Sequence, residues 1–128
     1  MIETLISQAR EVRENAYAPY SNYKVGAALL AENGQVYTGV NVENAAYPSG
    51  MCAERSAVFQ AVGDGQRRFV ALALVTDNGG SPCGACRQVL AEFGLDLPIF
   101  IANAAGEVLD TMTLRELLPR AFTPVDLA

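Results

Sequence analysis

The sequence predicts an α/β protein, a three-layer α/β/α sandwich around one mixed, mostly five-stranded sheet. Three observations carry that expectation. Apolar runs of strand length alternate with amphipathic stretches of helical length. An Asn-Gly pair separates the first two apolar runs, which is a hairpin signal. Helix-length stretches lie between the later runs, and crossovers of that length join parallel strands.

Residues 2–16 place Ile2, Leu5, Ile6, Ala9, Val12 and Ala16 on one helical face, and "APYSNY" breaks the helix. Residues 25–31 are uniformly apolar, as in a strand buried on both faces. "ENGQ" turns the chain into a return strand, "QVYTGVNV". "ENAAYPSG" is a loop by composition. Residues 52–62 carry Ala53, Ala57, Val58 and Ala61 at helical spacing, and Gly63 ends the run. "RFVALALVT" is a buried strand and "DNGGSPCG" a loop. Residues 85–93 form a helix with Gly94 past its end. "LPIFIA" is a strand, and "AAGEVLD" turns into a short one. "TLRE" is a capping box that opens a short helix reaching Pro119. No repeat or linker interrupts residues 1–128, so we expect a single domain.

Composition narrows the function. The net charge is −5 and the nine Lys and Arg are scattered, with only Arg67 and Arg68 adjacent. Nucleic-acid grooves and anionic membranes demand clustered basic residues, so the expected partner is a small molecule, with no nucleic acid and no membrane. Three cysteines cannot form a complete disulfide framework. No apolar run approaches the ~20 residues of a membrane span, and the charged first residues do not read as a signal peptide. We therefore expect a cytoplasmic protein in a reducing compartment.

The chemistry lies in two segments with one layout. Cys52 follows Pro48 and Gly50, Cys83 and Cys86 follow Gly80 and Pro82, and each segment opens a helix. Unpaired N–H groups and the helix dipole make such an end electropositive and favour thiolates. Two such ends converging give three sulfur ligands, Cys52, Cys83 and Cys86, with no histidine in the chain to add a fourth. Structural zinc is closed by four ligands, whereas catalytic zinc leaves a position for water. Glu54, two residues after Cys52, lies in the first turn and can exchange protons beside the open position. Taken singly, each piece has a plainer meaning. Cys52 could be a small buried hydrophobe, the Cys83-Gly-Ala-Cys86 pair a redox dithiol, and Glu54 a helix-end acid.

Together, Cys52-Ala53-Glu54 and Pro82-Cys83-Gly84-Ala85-Cys86 match the three-cysteine form of the zinc deaminase pattern. The chain resembles the small, homotetrameric, zinc-dependent cytidine deaminases. "AYAPYSNYKVGAALL", "GVNVENAAYP", "CAERSAVFQAV", "SPCGACRQVLAEF" and "LLPRAF" stand in the family's order and span nearly the whole sequence. The resemblance implies hydrolysis of cytidine and 2′-deoxycytidine to the uridines and ammonia, in pyrimidine salvage. It implies one zinc per chain on Cys52, Cys83 and Cys86, with Glu54 as proton shuttle. It implies that Asn41 and Glu43 bind the ribose 3′-hydroxyl and that the Ala53 backbone holds the base. Strand alternation puts Asn41 and Glu43 on one face, though polar residues are also ordinary at a strand end. Tyr23 stands where the family usually has Phe beside the pyrimidine. Phe122 matches an aromatic that reaches a neighbouring subunit's site in a homotetramer; from sequence alone it reads as a core residue.

Arg55 is the last candidate. Three thiolates on Zn²⁺ leave a net negative charge, which opposes ionising a bound water. Arg55, close to Cys52, could donate to the thiolates and offset that charge, or lie in solvent as a surface arginine. Three alternatives stay open at this stage: a deaminase for another base or a nucleoside antibiotic, a structural zinc module, and a dithiol redox protein.

Overall fold

The computed structural model describes residues 1–127. Its elements are α1 (Ile2–Arg13), β1 (Gly26–Ala31), β2 (Val36–Val40), α2 (Ala53–Gly63), β3 (Phe69–Val75), α3 (Gly84–Ala91), β4 (Pro98–Ala102), β5 (Val108–Thr113) and α4 (Leu114–Leu117). The strands form one sheet in the order β2-β1-β3-β4-β5. β3 and β4 are parallel, and the other neighbours are antiparallel. The parallel pair is the one joined through a helix, as its crossover requires.

The three layers follow from burial on both faces. Leu5, Ile6 and Ala9 of α1 pack with Ala28, Leu30, Ala73 and Val75 on one side. Ala57, Val58 and Ala61 of α2 and Leu90 of α3 pack with Leu29, Leu72, Leu74, Ile99 and Ile101 on the other. β1 is buried along all six residues, which explains its unbroken apolar run. Its alanines let helices approach closely from both sides. A β-carbon on Gly39 would stand 2.4 Å from the Ala53 carbonyl and 2.6 Å from the Ala57 nitrogen. Glycine there lets β2 lie against the first turn of α2, and so fixes where Cys52 is presented.

The hairpin turn forms at Asn33-Gly34. The Asn33 side chain accepts from Gln35 N–H at 3.0 Å, and Gly34 takes φ +89°. The capping box forms as expected, with Thr113 N–H donating to Glu116 at 3.0 Å and Glu116 N–H returning to Thr113.

Several boundaries differ from expectation. α1 stops at Arg13, leaving Ala16 outside it and Ile2 largely exposed. Arg13 is the buried residue instead, because it donates to the Lys24 carbonyl at 2.9 Å and pairs with Asp77. α2 runs through Gly63 and turns only at Asp64. α4 ends at Leu117, short of Pro119. Phe122 is no core residue: it is 58% exposed, with its carbonyl accepting from Gln88 at 2.9 Å.

Candidate active site

Cys52 is the N-cap of α2 and Cys83 the N-cap of α3, both with extended backbone. Neither side chain spends itself on a capping bond, so both remain free for another partner. Cys86 lies one turn into α3 and is fully buried. All three sulfurs stand within 4.8 Å of one another. Cys52 and Cys83 are 3.9 Å apart, and Cys83 and Cys86 3.3 Å. Sulfurs at ~2.3 Å from one tetrahedral ion stand about 3.8 Å apart, so this donor set fits zinc. All three are free thiols.

The electrostatics of the cluster suit metal capture. The Cys52 thiol is held down at about 5, first by the hydrogen bond it shares with Cys86 and next by Arg55. Cys86 is pushed up by the same shared bond and by its burial. Of this pair Cys52 ionises first, and metal binding must displace a proton from Cys86. Arg55 places its guanidinium 3.5 Å from the Cys52 sulfur. Its Nε is buried with no hydrogen-bond partner. The geometry thus favours a thiolate contact over a free surface arginine.

Glu54 is 5% exposed, and this burial lifts its carboxyl above the usual range, with the negative Cys52 adding to the rise. A bound cation would cancel the second contribution and leave the first. Ala53, ahead of it, is fully buried.

A cleft of about 280 Å³ opens over these groups. Cys52, Ala53, Glu54 and Cys83 line its metal end. Tyr23, Asn41, Glu43, Thr76, Gly80 and Ser81 line it as well. Glu43 accepts from Tyr20 N–H at 2.9 Å and Ser21 N–H at 3.1 Å, and from the Ser21 hydroxyl. The Ser21 hydroxyl, followed by those amides, holds the Glu43 carboxyl below its usual range. Asn41 is tied to the chain entering β1, accepting from Val25 N–H at 2.9 Å and donating to the Tyr23 carbonyl at 2.8 Å. One Nδ2 hydrogen and one carbonyl lone pair remain on Asn41 for a ligand.

The structure thus gathers Cys52, Cys83, Cys86, Glu54, Ala53, Asn41, Glu43 and Tyr23 around one cleft. Phe122 does not line it and stays at the surface beyond α4. Sequence reasoning missed Thr76, Ser21 and Arg87. Thr76 carried a usable signal, since it is the first polar residue at the carboxyl end of buried β3, where α/β sheets bind ligands. Ser21 and Arg87 carried none, because Ser21 reaches Glu43 across 22 residues and Arg87 reaches Leu117 across 30.

Comparison with known proteins agrees with this arrangement. Residues 1–102 match the family model described as the cytidine and deoxycytidylate deaminase zinc-binding region. The chain is 52% identical to a cytidine deaminase of Sporosarcina psychrophila, over 99% of this chain and 95% of that one. It is 47% identical to the Halalkalibacterium halodurans cytidine deaminase, over 98% and 96%. The crystal structure of cytidine deaminase from Burkholderia pseudomallei superposes with a TM-score of 0.88 at 48% identity, covering 93% of this chain and 97% of that one. A three-thiol cluster at two helix ends, a buried glutamate between them and this match across most of the chain have one common explanation: the chain belongs to the cytidine and deoxycytidylate deaminase family.

Proposed function

We propose that this chain converts cytidine and 2′-deoxycytidine to the uridines and ammonia, with one zinc held by Cys52, Cys83 and Cys86. The observation that carries the reading is buried Glu54 beside three converging sulfurs, on a cleft that also presents Asn41 and Glu43. When bound, zinc supplies an acidified water as the nucleophile. The remaining work falls to the chain. Glu54 moves one proton from that water to N3 of the ring and the second to the amine at C4, which leaves as ammonia. Burial keeps its proton affinity high enough for both acceptance and donation. Ala53 and Tyr23 bound the base, and Asn41 and Glu43 grip the ribose 3′-hydroxyl. Glu43 already holds three donors, which fix its carboxylate before substrate arrives. Arg55 withdraws charge from the Cys52 sulfur and keeps the three-thiolate centre acidic.

The working unit is a homotetramer with sites at subunit interfaces. Tyr20, Val42, Tyr47, Phe59 and Phe122 are all half or more exposed or close to it, which supports burial between copies. Phe122 belongs to a neighbour's site in this reading, which accounts for its place outside its own cleft. Among the described residues no helix is long and apolar enough to cross a membrane.

The deciding experiment follows ammonia release from cytidine by purified protein, with and without a strong chelator. Chelator-sensitive release from cytidine but not from cytosine establishes the reading. Metal-free activity, or release from cytosine alone, overturns it. Phe122→Ala should raise KM for cytidine, and a fully active monomer in sedimentation would contradict the tetramer.

A further inference from the structure

Two loops face each other at the mouth of the cleft. One leads into β1 and carries Tyr23; the other leaves β3 and carries Asn78, Gly79 and Gly80. β1 and β3 are antiparallel neighbours with Gly26 opposite Val75, so both loops meet at the same end of the strands. The Tyr23 hydroxyl donates to Asn78 Oδ1 at 2.8 Å across 55 residues of sequence. We propose that this hydrogen bond is a latch that seats the Asn78–Gly80 loop on the cleft, and that Asn78 is a positioning residue for pyrimidine binding. The proposal rests on reading the cleft as the pyrimidine site.

Three further observations support a fitted contact. A β-carbon on Gly80 would lie 2.4 Å from the Tyr23 hydroxyl oxygen and 3.5 Å from Cζ. The hydroxyl therefore sits directly on the bare α-carbon of Gly80. Next, Gly79 and Gly80 donate N–H to the buried Thr76 hydroxyl oxygen at 2.7 and 2.9 Å, folding the loop back onto the end of β3. Last, the loop runs through Ser81 and buried Pro82 into Cys83. A loop held at Asn78 and anchored at Cys83 has little freedom between them, and Gly80 and Ser81 in that span line the cleft. A phenylalanine at position 23 could line the cleft as Tyr23 does, but it could not hold the facing loop. The tyrosine hydroxyl's one proton is spent on Asn78, which leaves no phenol donor for substrate.

The neighbouring residues are fastened separately. Arg13 links the Lys24 carbonyl to Asp77, one position along each loop. Cutting the latch should therefore loosen the loop tip without detaching the loops, so binding suffers more than folding.

The test uses the zinc-loaded full chain with Tyr23→Phe, Asn78→Ala and the pair. A neutral hydrogen bond is worth about fivefold in an equilibrium, so each single variant should raise KM for cytidine about fivefold and move kcat less. The pair should raise it no further, because one bond is lost in all three. Amide hydrogen exchange across residues 77–81 should accelerate equally in all three, a readout independent of catalysis. Gly80→Ala should raise KM and lower the melting temperature. Adding Tyr23→Phe should restore both to the Tyr23→Phe level, since the remaining 3.5 Å approach to Cζ is an ordinary contact. Unchanged exchange in the single variants, additive losses in the pair, or Gly80→Ala left unrescued overturns the latch. If the parent does not deaminate cytidine, the functional reading fails by itself. Exchange and the thermal rescue then still decide the latch.

Discussion

The two cysteine-bearing crossovers begin alike and are held differently. In each, a cysteine caps the helix and an arginine follows within about a turn, Arg55 after Cys52 and Arg87 after Cys83. Arg55 turns back to the Cys52 sulfur. Arg87 ignores its sulfurs and donates to three oxygens: the Pro82 carbonyl at 2.7 Å, the Leu117 carbonyl at 2.8 Å and the Ser81 hydroxyl at 2.9 Å. The second residue after each cap differs in the same sense. Glu54 in α2 is buried, whereas its counterpart Ala85 in α3 is exposed. In the proposed mechanism the α2 crossover handles charge, protons and the sugar, while the α3 crossover supplies two sulfurs and a scaffold. A similar layout of residue types thus does not imply equal work; what each arginine can reach decides.

The largest effect should come from breaking the cluster that both crossovers share. Cys83→Ala should abolish zinc binding and activity together, read by metal analysis and ammonia release. Zinc retained at full stoichiometry would show that the α3 side is dispensable to the metal. Next comes the asymmetric element of α2. Glu54→Gln should keep zinc and fold while turnover falls by about 10⁴ or more, the upper end for general acid–base help, since one group serves several transfers. Near-native turnover would remove Glu54 from the mechanism.

Arg87→Ala tests the scaffold. It strips a partly buried carbonyl on each side of α3 of its partner, at Pro82 and at Leu117. The expected loss is about 1–3 kcal/mol in denaturant unfolding, with the cysteine chemistry intact. Arg55→Gln tests charge at the other helix. It should leave the fold and zinc in place but lower kcat about tenfold, the worth of one charge-assisted bond. Adding Cys52→His should recover part of the loss by removing the excess negative charge. Swapped outcomes, with Arg55→Gln unfolding the protein and Arg87→Ala silencing it, would reverse the comparison.

What was legible in the sequence follows the same division. Cys52, Glu54, Cys83 and Cys86 declare themselves because helical spacing alone brings them near a helix end. β1 is legible because burial on both faces demands a continuous apolar run. Arg13, Ser21 and Arg87 were not legible as site supports. Arg13 reaches Asp77 across 64 residues and Arg87 reaches Leu117 across 30, which no local pattern encodes. For Phe122 the plainer core reading fails, since only the fold shows it standing outward, as the proposed reach to a neighbouring subunit requires. α1 ends early because Arg13 is drawn inward by loop oxygens, a tertiary contact that hydrophobic periodicity cannot register.

The smallest expected effect concerns the proposed sugar grip, which lies on the chain leading into α2. Ser21 and two backbone amides hold the Glu43 carboxyl below the usual carboxylate range. A depressed acid stays charged above its lowered value and loses its charge only as pH falls through it. The grip should therefore stay intact through the normal glutamate range and weaken only at more acid pH. Metal loss confuses a simple acid titration, because protonated thiols release zinc from every form of the enzyme. The ratio of KM for 3′-deoxycytidine to KM for cytidine removes that common factor, since only cytidine carries the hydroxyl that Glu43 grips. This ratio should exceed one, stay flat from neutral pH through the usual carboxylate range, and fall toward one below it. Ser21→Ala removes the main cause of the depression, so the fall should begin at higher pH. A ratio of one at neutral pH would take Glu43 out of sugar recognition. It would leave the α2 crossover with protons and charge alone.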